Sequence, residues 1–316
     1  MSTPDHTTFR AMGSQFQAWV ETDADGAAIL AQVPAWVEAY EDRLSRFRPH
    51  SELMQLNARA GEWVAVSDDL LDVILAALDA ARLTGGLYNP LVLPALLAAG
   101  YDRTFEDLAA EAEADDADVP PVADWTRIDV DLTRSEVRLP AGTQIDLGGI
   151  AKGWTAERIA DRLEAYGPCM VDAGGDLVAR GKPTGYPGWP VAVAEPGQQT
   201  ADDPAQSLLM VSLKDKAIAT SGTDYHRWTR GGTLRHHIID PRTARPAESD
   251  VLSATVIDVD AERAEAYAKL LILLGAQAGL AWLAQNTNAS AVVACLDGAV
   301  LASADFQVHL IPEPAQ

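Results

Sequence analysis

Cysteine is nearly absent from this chain of 316 residues: only Cys169 and Cys295 occur. They lie far apart and outside any metal-ligand spacing, so no zinc or iron–sulfur motif can be written and a disulfide has no support. Positive charge is scarce as well. Lys and Arg number 24 against 46 Asp and Glu, a formal charge of −22. Binding to nucleic acid or to an anionic membrane needs a basic face, so both are excluded as expectations. Long apolar runs are missing too. Residues 91–99 and 270–274 are the best candidates and fall far short of membrane length. The first residues, Met1 to His6, carry no basic segment followed by an apolar run, which is not the pattern of a signal peptide. No short-period repeat is present. Together these absences predict a soluble, cytoplasmic protein with no nucleic-acid partner and no membrane insertion.

What remains is a chain that can bury a core, with 48% hydrophobic residues. Residues 14–21 alternate like a strand. Residues 35–44 read as a helix after Pro34, with Trp36, Ala39, Tyr40 and Leu44 on one face. Ser67 caps a long helix from Asp68 to Leu83, with Leu71, Ile74, Leu75 and Leu78 at helical spacing and Gly85-Gly86 ending it. The stretch 106–124, rich in Ala, Asp, Glu and Pro, reads as a solvated loop or a short acidic helix. Strands are expected at 127–130, 136–139, just before Asp146, on both sides of Gly174-Gly175, and at 189–194, 208–213, 217–220, 236–239 and 254–259. A polar excursion covers 198–205. A helix over 155–166 follows Asp146, and helices at 261–274 and 276–285 precede strands at 289–295 and 299–302. Strands and helices in blocks, without strict alternation, point to an α+β fold with a largely antiparallel sheet. The chain reads as one domain over 1–316, its core at about 9–285, with an acidic loop at about 105–124.

One segment carries more chemistry than the rest: Ile145-Asp146-Leu147-Gly148-Gly149-Ile150-Ala151-Lys152-Gly153. It runs from an apolar, strand-like stretch into a helix. Two glycines permit positive φ and close approach of backbone to a ligand. A helix start offers free N–H groups and partial positive charge to an anion such as a diphosphate, with Lys152 as a point charge beside it. A ligand-free strand-to-helix turn fits the same spacing. Other polar segments are Asp172-Ala173-Gly174-Gly175-Asp176, the turn-like Thr220-Ser221-Gly222-Thr223-Asp224-Tyr225, and His237-Ile238-Ile239-Asp240-Pro241.

The order of these segments is far more specific than any one of them. The chain resembles the ApbE family, the FAD:protein FMN transferases, over about residues 9–285. The resemblance rests on Met12-Gly13-Ser14, Leu44-Ser45-Arg46-Phe47 with Ser51 and Asn57, and Gly86-Leu87-Tyr88-Asn89-Pro90 with Pro94. It continues through Asp146 to Gly153, Gly174-Gly175-Asp176, Thr220-Ser221-Gly222 and His237 to Pro241. It implies a two-lobed α+β architecture and a Mg2+-dependent reaction. FAD is cut at its diphosphate, FMN is attached to a threonine or serine hydroxyl of an acceptor protein, and AMP leaves. The resemblance assigns Met12 and Phe47 to walls of the flavin-nucleotide pocket, with Phe47 standing where the family often has tyrosine. It assigns Leu87, Tyr88, Asn89, Asp146, Lys152 and Ile238 to FAD contacts, Asn89 replacing a common aspartate. His237 is the proton acceptor, or orients the acceptor hydroxyl. A buried, hydrogen-bonded imidazole is the plain alternative.

At the metal the sequence departs from the family. A helix near residue 265 usually carries Ala-Asp-x-x-x-Thr, the Asp and Thr on one face, binding magnesium with a backbone carbonyl that falls at Gly149 here. This chain has Ala264-Glu265-Ala266-Tyr267-Ala268-Lys269. Glu265 still offers a carboxylate. An ammonium about 4 Å from a divalent ion is repelled by several kcal/mol even at an effective dielectric of ~20. Lys269 therefore swings away, pairs with Glu265 and replaces the metal, or loses its proton; a plain i, i+4 salt bridge is the fourth reading. The expected activity is Mg2+-dependent FMN transfer. The alternatives are an FAD-binding relative without transfer activity, or an FAD pyrophosphatase giving FMN and AMP.

Overall fold

The computed structural model describes residues 3–108, 111–112, 119–198, 207–224 and 226–311. It is α+β, as expected. The chain divides into two compact units, one built from residues 1–37, 152–225 and 249–316, the other from 38–151 and 226–248.

The larger unit is organised by one sheet of eight strands: β1 (Asp5–Ala11), β2 (Ser14–Val20), β3 (Cys169–Ala173), β4 (Asp176–Arg180), β5 (Lys216–Gly222), β6 (Val251–Asp258), β7 (Ser290–Cys295) and β8 (Val300–Ala302). They lie side by side in chain order and every pairing is antiparallel. The sheet is thus a plain meander into which other segments are inserted. A hairpin of Trp189–Ala194 with Ser207–Leu213 is inserted between β4 and β5. The polar excursion at 199–206 lies outside the described residues.

The helices that matter below are α1 (Val33–Leu44), α2 (Glu52–Ala58), α3 (Asp68–Leu83), α4 (Leu93–Ala99), α5 (Ala151–Glu164), α6 (Ala261–Leu274) and α7 (Ala276–Asn286). Helix α6 packs on β5 and β6. Its small residues Ala261, Ala264 and Ala268 are buried, as are Tyr267, Leu270, Leu271 and Ile272. A helix so buried has almost no solvated face, which raises the meaning of any charge on it.

In the smaller unit α3 starts and stops where the sequence places it, its Ser67 hydroxyl accepting the Leu70 N–H. The buried face, however, is Leu70, Leu71, Val73, Ile74, Ala77, Ala80 and Ala81. Leu75 and Leu78, expected inside, are half-buried because the face follows the 70–73/74–77–80/81 spacing. Trp228, Ile239 and Ala244 join Leu93, Leu96 and Ala99 in one core, with Phe105, Leu108, Val119 and Val122 packed against it. The stretch around 105–124 is therefore anchored at both ends, not simply solvated. Residues 113–118 lie outside the described residues.

Two further expectations are corrected. No strand feeds Asp146: residues 143–147 have no regular secondary structure. The buried side-chain amide of Asn57 takes the place of a partner strand, donating to the Ile145 carbonyl at 3.0 Å and accepting its N–H at 2.7 Å. Thr220-Ser221-Gly222 does not break a strand but forms the end of β5, paired with Ser253–Thr255. There the Thr220 and Thr255 hydroxyls lie 2.8 Å apart. Among the described residues, no helix is long and apolar enough to cross a membrane.

Candidate functional site

The sequence-predicted residues fall into two clusters, one in each unit. The cluster of the larger unit is charged. Helix α5 begins at Ala151, earlier than the expected 155, so Lys152 lies in its first turn. Its ammonium donates to Asp176 Oδ2 at 2.6 Å, and Asp176 is 1% exposed. Burial alone would lower the Lys152 pKa. The charges of Asp176, Glu265 and Asp172 outweigh it, so the group stays protonated.

Gly153 explains how α5 meets α6. A Cβ there would lie 3.0 Å from Glu265 Oε2 and 3.1 Å from the Ala261 carbonyl oxygen. Only glycine lets the helices approach this closely. The Gly153 N–H then donates to Glu265 Oε2 at 3.3 Å. The other oxygen, Oε1, accepts from Lys269 Nζ at 3.1 Å, with Glu265 2% and Lys269 17% exposed. Burial raises the Glu265 pKa and Asp176 adds to that, while Lys269 and Lys152 oppose them.

The turn between β3 and β4 completes this cluster. Gly174 and Gly175 both have positive φ, 72° and 97°, as a two-residue hairpin turn requires. Asp172 Oδ1 accepts the Gly175 N–H at 2.8 Å. Burial pushes Asp172 up to about 6, and nearby Asp176 acts in the same direction. A Cβ on Gly174 would fall 2.5 Å from Ser14, so the β1–β2 turn lies directly against this one. That first turn holds Met12 in the left-handed region at φ 49°, uncommon for a side-chain-bearing residue. Met12 thus sits beside the charged cluster's glycine turn. By contrast, Gly148 and Gly149 do not have positive φ. A Cβ on Gly148 would meet Asp146 Oδ1 at 3.1 Å, so there the glycine serves closeness.

The cluster of the smaller unit is aromatic and anchored. Asp146 is 7% exposed. Its N–H donates to the Pro90 carbonyl at 2.8 Å, its Oδ1 accepts the Gly148 N–H at 2.9 Å, and its Oδ2 pairs with Arg46 Nε at 2.9 Å. Arg46 also donates to the Tyr101 carbonyl at 2.9 Å. Its guanidinium carbon lies 4.0 Å from the Phe47 ring centroid and 4.5 Å from that of Tyr101. Phe47 is 37% exposed yet held by this stacking. Tyr101 continues to His226, which meets His237 edge-on at 5.1 Å between centroids. His237 is half-buried. Its neighbour His236 bonds the Ala247 carbonyl through Nε2 at 3.0 Å, and burial lowers its pKa. Ile238 is buried, its carbonyl accepting the Ala247 N–H at 2.9 Å.

Leu87, Tyr88 and Asn89 follow the end of α3. The Gly86 N–H donates to the Ala81 carbonyl at 2.7 Å, with Gly85 and Gly86 both at positive φ, a left-handed helix end. Tyr88 N–H donates to Thr84 Oγ1 at 2.9 Å, and Asn89 caps the next turn by accepting the Leu91 N–H at 2.9 Å. Asn89 also donates to the Ala123 carbonyl at 3.0 Å, which fixes its amide without a charge. Arg46 and Asp172 stand in segments the sequence singles out, but neither was assigned a role of its own. The adjacency of Arg46 to Phe47 was the only signal for the first.

A divalent metal does not fit the residues present. Both Glu265 oxygens are already engaged, Lys269 has no lone pair to give, and among the described residues no three Asp, Glu, His or Cys side chains gather as a metal cage.

The family model described as the ApbE family matches residues 12–293. A protein of Treponema pallidum (strain Nichols) named FAD:protein FMN transferase is 33% identical over 296 residues, covering 89% of this chain and 81% of that one. One of the same name from Klebsiella pneumoniae (strain 342) is 28% identical over 292 residues, covering 90% and 88%. Among solved structures, the ApbE protein of Thermotoga maritima superposes with a TM-score of 0.84 at 26% identity, covering 98% of this chain and 100% of that one.

Proposed function

The chain belongs to the ApbE family, and from that premise we propose that it transfers FMN from FAD to a threonine or serine hydroxyl of an acceptor protein. The whole-length match to proteins named FAD:protein FMN transferase carries this reading. In the step, the acceptor oxygen forms a bond to the FMN-side phosphorus. The P–O bond to AMP breaks and AMP leaves with the electron pair. The hydroxyl proton passes to His237. Chemistry of this kind is mostly positioning and charge stabilisation.

The residues support a division of labour. Phe47, stacked on Arg46, offers a flat apolar face suited to an isoalloxazine or adenine ring. Lys152 at the start of α5 suits the diphosphate. Asp146, Leu87, Tyr88, Asn89, Met12 and Ile238 complete the proposed FAD contacts. His237, whose ring meets that of His226 edge-on, is of the residue type that serves as a general base. Magnesium and its proposed ligands Gly149 and Glu265 take no part in this account, because the donor set does not fit.

The test is to incubate purified protein with FAD and an extract of host proteins, then look for a fluorescent protein band on a denaturing gel. A band formed from FAD and not from FMN supports transfer. Free FMN and AMP with no band would replace it with hydrolysis. His237→Ala should lower the rate by about 10²–10⁴-fold while FAD still binds, as flavin fluorescence would report.

A further inference from the structure

An i, i+4 Glu–Lys pair on a solvated helix face is ordinary. The Glu265–Lys269 pair is in a different setting. It lies on the most buried helix of the protein's larger unit, with the carboxylate 2% exposed. Charge in such a place is retained only when it is paired and bonded. Glu265 is bonded twice, to Lys269 Nζ and to the Gly153 N–H. That second bond ties it to the first turn of α5, one residue from Lys152.

Lys152 is seated on Asp176 in the same manner, at 2.6 Å. The two pairs feel each other. Glu265 and Asp172 help to hold the Lys152 proton, and Lys152 and Asp176 both act on Glu265. Two ammonium groups and three carboxylates therefore form one electrostatic network around the start of a helix. An ammonium carries three N–H donors. With one donated to a carboxylate, each lysine keeps donors for phosphate oxygens. Magnesium, in contrast, demands near-octahedral oxygen ligands, and Lys269 can supply none.

We propose that Lys269, seated on Glu265, is a built-in cation that takes the place of the divalent metal implied by the family resemblance, so that this chain grips the FAD diphosphate without Mg2+. The inference rests on the flavin-transferase reading above. It has a chemical consequence. One ammonium brings half the charge of a magnesium ion but also donates hydrogen bonds, and charge-assisted bonds of this type are the strong ones. Lys269 then acts with Lys152 as a pair of donors whose positions are set by buried carboxylates and need no ion from solution.

The test uses the purified full chain, flavin fluorescence, and the electron paramagnetic resonance of Mn2+ as a probe of metal binding. FAD affinity is measured in excess EDTA and in millimolar Mg2+. The expected result is agreement within about twofold, with the free Mn2+ signal undiminished by the protein, with or without FAD. Lys269→Met should weaken FAD binding about tenfold or more, as loss of a hydrogen bond to a charged group does, and leave riboflavin binding unchanged. Because that variant strands Glu265, Glu265→Gln/Lys269→Met is measured beside it and should show the same selective loss in a folded protein. Glu265→Asp/Lys269→Thr should take up Mn2+ and make FAD binding Mg2+-dependent. Mg2+ tightening FAD binding about tenfold in the unmodified protein, or FAD affinity untouched in both methionine variants, overturns this inference alone. No FAD binding under either condition overturns it together with the flavin-transferase reading.

Discussion

The two units solve opposite problems. The larger one holds ions: Lys152 is paired with Asp176 and Lys269 with Glu265, with Asp172 nearby. The smaller one holds rings: Phe47 and Tyr101 both pack on the Arg46 guanidinium, their own centroids 5.8 Å apart, followed by His226 and His237. Both use a buried carboxylate to place a cation, Asp176 under Lys152 and Asp146 under Arg46. The difference lies in the cation chosen. Lysine is a point charge with donors free to turn toward phosphate. Arginine is planar and lends its face to an aromatic ring while its edge is bound.

The comparison can be broken at each anchor. Arg46→Ala should do the most damage. It leaves Asp146 buried without its partner, and loss of one member of such a pair costs about 3–4 kcal/mol, measurable by urea unfolding. Arg46→Lys should recover part of that stability and little of the flavin affinity, since stacking is lost. Lys152→Met comes next. Its side chain keeps 27% exposure, so stranding Asp176 should cost about 2–3 kcal/mol. Adding Asp176→Asn should restore stability but not FAD binding.

The charged cluster also has a pH signature of its own. Asp172 is raised to about 6 when folded, so the folded state holds its proton more tightly than the unfolded chain does. Its contribution to stability is full at acid pH and is lost as pH rises through about 6. The slope it adds is at most about 1.4 kcal/mol per pH unit. Asp172→Asn, which can still accept the Gly175 N–H, should remove that slope from stability curves taken between about pH 4 and pH 7. A curve of unchanged shape would show that Asp172 ionises normally. The smallest effect is expected from Phe47→Ala: about 1 kcal/mol, or roughly fivefold in the FAD Kd, with no loss of fold stability because the ring is 37% exposed.

Local chemistry made much of this visible beforehand. Ser67, two acidic residues and a glycine pair bound α3 so well that both ends could be read from the chain. The Lys269 substitution was evident from the family resemblance, against which Glu265 and Lys269 stand out. What escaped was whatever depends on distant partners. Strand β1 has no apolar alternation, because it is an edge strand bound through its backbone to β2. The stretch before Asp146 imitates a strand because its partner is the side chain of Asn57, 88 residues away. Arg46 stood in a motif of that resemblance without a role of its own. Its importance lies in Asp146, a hundred positions later, and no periodicity points there.

The order in which the chain is laid down adds a final point. The meander runs straight through the sequence, but the smaller unit arrives in two instalments, 38–151 and 226–248. During synthesis Phe47, Tyr101 and Asp146 emerge with the first, while Trp228, His237 and Ile239 come only after five of the eight strands have been made. Until then the Leu93–Ala99 helix lacks Trp228, whose indole N–H bonds the Ala99 carbonyl. Domains tend to fold as units as they leave the ribosome. Here that unit must wait, so a ribosome that stalls between residues 151 and 226 would release a chain whose aromatic half has no means of closing.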